Sequence, residues 1–167
     1  MCNTKNKIHI NRYMRNKTKV QLAYQELLNS HSTNNNLDTF VTLTFQKIET
    51  MDSITNITKR YFIHLHRAVY GRQASKHKIQ RIITIEHTEG SSHLHLMIEK
   101  PTHLKHLEFK NLMRDKWKRL VGTGKANLNN SEWYKEIKAT QEDKDNSLFY
   151  ITKTIDKHPE NILIQCM

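Results

Sequence analysis

A chain of 167 residues holds one domain with a proper core and is too short for two full ones. Twenty-seven Lys and Arg against sixteen Asp and Glu leave a formal charge of +11, with eleven His besides, a field that concentrates phosphate-bearing polyanions and so points to nucleic acid or an anionic membrane surface. No apolar run approaches the roughly 20 residues that span a bilayer, and no apolar signal core follows the first residues, so a cytoplasmic protein with no membrane partner is expected.

Residues 1–36 are polar and basic, with Lys5, Lys7, Arg12, Arg15, Lys17 and Lys19 against the single acid Glu26. They read as an N-terminal arm or added helix, with a short helix over about 18–29 carrying Val20, Leu22, Leu27 and Leu28, and a loop over His31–Asn36. Residues 37–167 form the main domain. Thr39–Phe45 alternates, placing Val41, Leu43 and Phe45 on a buried face and Thr42 and Thr44 on the other. Asp52-Ser53 caps a helix in which Ile54, Ile57, Tyr61, Leu65, Ala68 and Val69 recur at helical spacing until Gly71. A second strand covers Gln80–Glu86, a turn Thr88–Ser92, and a third strand His93–Lys100 before Pro101. A second helix over about 105–121 buries Phe109, Leu112, Met113, Trp117 and Leu120. Its opposite stripe carries Lys110, Arg114 and Lys118, either a solvated face or a track for phosphates. After a loop at 122–130, Trp133–Ala139 reads as a fourth strand, Glu142–Asp145 as an acidic turn and Ser147–Lys157 as a last helix.

The order β-α-β-β-α-β plus a helix predicts an α+β fold: a split βαβ, ferredoxin-like antiparallel sheet with helices on one face and the other face open for chemistry. In a strand, residues two apart point the same way, so His93 and His95 project together from the open face while Leu94, Leu96 and Ile98 enter the core. Ile83 and Ile85 turn Glu86 to that same side. A six-residue turn over 87–92 that pairs Glu86 with His93 completes a His-His-Glu metal set, whereas a slip of one residue brings His87 there instead. Such a set with open positions suits Mn²⁺ or Mg²⁺. The competing explanation is chance, for eleven histidines readily produce a His-x-His. The second pair, His64-Leu-His66, lies in a helix, where residues two apart diverge by about 200°, and cannot chelate one ion. The cysteines Cys2 and Cys166 have no near partner and receive no chemistry.

In the last helix Leu148, Ile151 and Ile155 form the core stripe, and Tyr150, Lys153, Thr154 and Lys157 the polar one. A tyrosine flanking a core is commonly just amphipathic. As a nucleophile it needs cationic help, because a phenol ionises near pH ~10 in isolation, and Lys153 is one turn away.

Taken in order, Thr39-Phe-Val-Thr-Leu-Thr-Phe45, His93-Leu-His95 and Tyr150-Ile-Thr-Lys153 resemble the three motifs of the HUH endonucleases, and most the single-tyrosine rolling-circle replication initiators (Rep proteins) of plasmids and small DNA viruses. The likeness spans about residues 39–157. It implies that Glu86, His93 and His95 hold Mn²⁺ or Mg²⁺, that Tyr150 attacks single-stranded DNA at a replication origin, and that Lys153 steadies the tyrosinate or phosphate or contacts the DNA backbone. Thr42 and Thr44 are DNA contacts or plain strand residues. With no GxxxxGK[ST] motif in the sequence, unwinding falls to a separate helicase, and extension of the free 3′-OH to a host polymerase. Two alternatives remain open. One is a single-strand transposase of the same superfamily; the other is a non-catalytic RNA-recognition-like module, which needs stacking aromatics where this sheet offers His93, His95, Met97 and Phe40.

Overall fold

The sheet is built on its most strictly alternating segment. In strand β1 (Thr39–Thr44), buried and half-buried residues alternate without exception and Phe45 continues the buried face. The computed structural model describes residues 19–34, 36–47, 49–88, 91–122, 133–138 and 140–153. Among these, helix α1 (Lys19–Asn34) precedes β1, followed by α2 (Met51–Tyr70), a 3₁₀ helix (Gly71–Lys76), β2 (Arg81–Thr88), β3 (Ser91–Ile98), α3 (His106–Val121), β4 (Tyr134–Glu136) and α4 (Gln141–Thr152). The four strands lie in the order β2-β3-β1-β4, every neighbouring pair antiparallel. Both helical crossovers, β1-α2-β2 and β3-α3-β4, skip over one strand, which is split βαβ connectivity in an α+β fold.

One face of the sheet makes the main core. Val41, Leu43, Ile83, Ile85, Leu94, Leu96 and Ile98 pack against Ile54, Tyr61 and Leu65 of α2 and Phe109, Met113 and Trp117 of α3. Trp117 also donates from Nε1 to the carbonyl of Thr44 at 3.0 Å, tying the helical layer to the end of β1. The stripe on α2 runs through Leu65 to Val69 and leaves the expected core residue Ala68 on the solvent side. The helix starts two to three residues earlier than an Asp52-Ser53 cap suggests, since Thr50 is the N-cap and accepts from the Ser53 amide.

The expectation of helices on one face only is corrected. Leu28 of α1 and Leu148 and Ile151 of α4 pack with Ile82, Met97, Leu37 and Ile137, with Phe40 beside them, on the second face. The cause lies in Ile82-Ile83 and Leu96-Met97-Ile98, where apolar residues follow one another and make that end of the sheet hydrophobic on both sides. Only the polar end of the second face remains for a site.

Element ends differ from expectation in instructive ways. Pairing of β2 with β3 runs out to Thr88 opposite Ser91, so the expected six-residue turn is mostly strand, as a two-residue connection suffices between antiparallel strands. The acidic run Glu142–Asp145 is not a turn but the first turn of α4, capped by Thr140, whose hydroxyl accepts from the Asp143 amide, and acids there complement the helix dipole. Helix α1 continues past residue 29 to Asn34, with Leu28 buried and Leu22 and Leu27 exposed. The basic residues before Lys19, and Thr154, Ile155 and Lys157 of the expected last helix, lie outside the described residues.

Candidate active site

The antiparallel register puts three rows of side chains on the polar end of the second face. Thr42 stands opposite His95 and Thr44 opposite His93 across β1 and β3. Thr84 stands opposite His95 and Glu86 opposite His93 across β2 and β3. Glu86 is therefore in the register that the metal set requires. Thr42 Oγ1 lies 3.1 Å from His95 Nδ1, and Thr44 Oγ1 3.0 Å from His93 Nδ1. The two rings lie nearly parallel, 6.2 Å apart.

Glu86 binds its neighbours on the diagonal. Its Oε2 lies 2.8 Å from His95 Nε2 and 3.3 Å from Lys153 Nζ. The hydrogen bond from His95 holds the carboxyl down at about 2, with Lys153 adding to the effect against the opposing cost of burial. An ionised carboxylate only accepts, so His95 Nε2–H is the donor, and Nδ1 faces the Thr42 hydroxyl. Burial, then the neighbouring His95, push the pKa of His93 below its ordinary value, with Glu86 opposing, which favours the neutral imidazole that can serve as a ligand.

Helix α4 brings Tyr150 and Lys153 to this cluster. The Tyr150 ring meets His95 edge-on at 5.1 Å and Phe40 at 5.5 Å, and it is 43% exposed, so the nucleophile candidate is both braced and reachable. The Lys153 ammonium lies 4.0 Å from the centre of that ring. Phe40, itself stacked near His95 at 6.2 Å, is the contributor that motif reading did not single out. Its signal was its place on the same strand face as Thr42 and Thr44. The end of α4 is fastened to α1, since Gln25 Nε2 donates to Thr152 Oγ1 at 2.8 Å and Gln21 Nε2 to the Lys153 carbonyl at 3.5 Å.

The structure thus unites Thr42, Thr44, Glu86, His93, His95, Tyr150 and Lys153. It does not bring Lys110, Arg114 and Lys118 to them. These lie on α3, in the layer behind the sheet, where Lys110 Nζ sits 5.8 and 5.7 Å from the Trp133 and Tyr134 rings and Arg114 Nε 3.7 Å from Asp115. His64 and His66 lie on α2, with His66 edge-on to Tyr70.

One carboxylate and two imidazoles on a rigid face fit Mn²⁺ or Mg²⁺ in kind, and the threonine hydroxyls, able to donate or accept, serve either ring tautomer. Their present disposition differs: among the described residues no group of three or more His, Cys, Asp or Glu is arranged to hold an ion, and the Glu86 carboxylate is engaged by His95 and Lys153 instead. No family model, no curated protein and no solved structure matches the chain. Among the described residues no helix is long and apolar enough to cross a membrane.

Proposed function

We propose that the chain is an HUH-type, Rep-like nickase that cuts and rejoins single-stranded DNA through Tyr150. The observation that carries this reading is the meeting, on one half-open patch, of the Tyr150 ring, His95 at 5.1 Å and the Lys153 ammonium at 4.0 Å, from segments more than 50 residues apart in sequence. An exposed phenol braced on two rings, with a cation beside it, is a positioned nucleophile.

In the cleavage step Tyr150 Oη bonds to the scissile phosphorus as the P–O3′ bond breaks. The proton lost by the phenol balances the one taken up by the 3′ oxygen. The 5′ phosphate remains esterified to Tyr150, so one phosphodiester is exchanged for another and a 3′-OH can reverse the reaction by attacking the same phosphorus. Lys153 offsets the charge on the phenolate and phosphate. His95 and Phe40 fix the plane of the tyrosine ring, and Thr42 and Thr44 fix the planes of the imidazoles. Glu86, His93 and His95 would hold Mn²⁺ or Mg²⁺, which when bound polarises the phosphate. Lys110, Arg114 and Lys118 are left for DNA outside the cut site.

The test uses a pool of hairpin oligonucleotides with randomised single-stranded loops and flanks, incubated with the protein and Mn²⁺ and resolved on a denaturing gel. A covalent protein–DNA band is expected from the native chain, lost in Tyr150→Phe and in EDTA. A band that survives Tyr150→Phe, or forms equally well in EDTA, overturns the mechanism.

A further inference from the structure

Glu86 Oε2 is shared between His95 Nε2 and Lys153 Nζ, and the latter contact has a consequence for any ion at the same carboxylate. The Glu86 side chain is 21% exposed and that of Lys153 30%, so neither charge is freely hydrated, and a half-buried carboxylate requires a counter-charge. Lys153 supplies it. A divalent cation on Glu86 would stand within a few ångströms of the ammonium, and like charges at that separation repel strongly in a partly buried site. The two compete for the oxygen.

The lysine is built to move without disturbing the fold. Its backbone is fastened, the carbonyl accepting from Gln21 and the preceding Thr152 bonded to Gln25, Leu148 and Phe149. Its side chain is a flexible stem with a compact charge, and its ammonium is already 4.0 Å from the Tyr150 ring centre. We infer that Lys153 is an internal counter-cation of Glu86 which a divalent ion displaces, so that ion binding frees the ammonium, already beside the Tyr150 ring, for the scissile phosphate. This rests on the metal site of the proposed function. It makes Lys153 a competitor of the ion before it is an aid to the reaction.

The test is Mn²⁺ affinity of the full chain, read from the electron paramagnetic resonance signal of free Mn²⁺, with no DNA present. Lys153→Met, which keeps the stem and removes the charge, should bind Mn²⁺ roughly three- to tenfold more tightly than the native chain, the scale of a half-exposed ion pair, whereas Glu86→Gln should lose binding. Thermal melting of both variants checks that they fold. In the native chain, acetylation of Lys153 by acetic anhydride, followed by mass spectrometry, should accelerate when Mn²⁺ is added. Unchanged or weaker Mn²⁺ binding by a folded Lys153→Met, or ion-independent acetylation, overturns the inference and leaves the nickase reading standing. Absence of Mn²⁺ uptake by both the native chain and Lys153→Met overturns the inference together with the metal site on which it rests.

Discussion

Thr42 and His95 stand directly opposite each other on β1 and β3, with the threonine hydroxyl 3.1 Å from Nδ1 of the ring. The same relation links Thr44 to His93 at 3.0 Å, so the alternating threonines of the first motif are hydrogen-bond partners of the histidines of the second. Groups in this position orient ligands, and losing them typically costs about 10–100-fold in metal affinity. Thr42→Val should therefore weaken Mn²⁺ binding by at least about tenfold, while Thr42→Ser retains it. Calorimetric titration of the three proteins checks this, and equal affinity in Thr42→Val would show the hydroxyl to be a plain strand residue.

Tyr150 and Phe40 make a separable pair. The tyrosine is 43% exposed, and its loss of one hydroxyl should change stability by no more than about 0.5 kcal/mol, so Tyr150→Phe is expected to melt like the native chain while forming no DNA adduct. Phe40 is half-buried against Tyr150, His95 and the second core. Phe40→Ala should cost about 2 kcal/mol, less than a fully buried Phe→Ala, and should slow adduct formation without abolishing it. Chemical denaturation and a time course of the adduct band measure the two effects; an unchanged rate in a destabilised Phe40→Ala would remove Phe40 from the site.

How much of this was legible follows from which signals are local. Strand faces were legible because the alternation in Thr39–Phe45 and His93–Ile98 fixes which side each residue takes, and with it the common face of Glu86, His93 and His95. The threonine–histidine bonds were not, since they depend on the β1–β3 register, set by the β1-α2-β2 crossover together with the β2-β3 hairpin and not by either strand alone. Cover on the second face was also missed, although Ile82-Ile83 and Leu96-Met97-Ile98 carry its signal. Reading Glu142–Asp145 as a turn weighed its polarity over the cap at Thr140, and so shortened at its start the helix that presents Tyr150.

Helix α1 acquires a role from its contacts with the tyrosine helix. Gln25 Nε2 donates to Thr152 Oγ1 at 2.8 Å, two residues from Tyr150 and next to Lys153. Removing one such bond costs about 1 kcal/mol. Gln25→Ala is expected to lower stability by that amount and to slow Tyr150 adduct formation. The double variant with Thr152→Val should show less than the sum of the two single effects. Additive losses in both denaturation and rate would mean that the contact is incidental.

Acidification should strain the site through His93. Burial and then His95 lower its pKa from 6.5, against the opposing pull of Glu86. The unfolded chain, where the ring titrates at its ordinary value, therefore takes up the proton first as the pH drops below about 6.5. The state that binds more protons gains on acidification, so this group makes the folded state less stable as pH falls, with no effect well above 6.5. The melting temperature of the native chain, compared with that of His93→Gln at pH 8, 7, 6 and 5, isolates this contribution from those of the other histidines. Native minus variant should stay constant from pH 8 to 7 and shrink from pH 6 downward. A difference that holds steady toward pH 5 would mean that the fold leaves His93 at its ordinary value, and one that widens would mean that the fold favours the charged ring as an ion-pair partner of Glu86. Either outcome removes the preference for the neutral ring that a metal ligand requires.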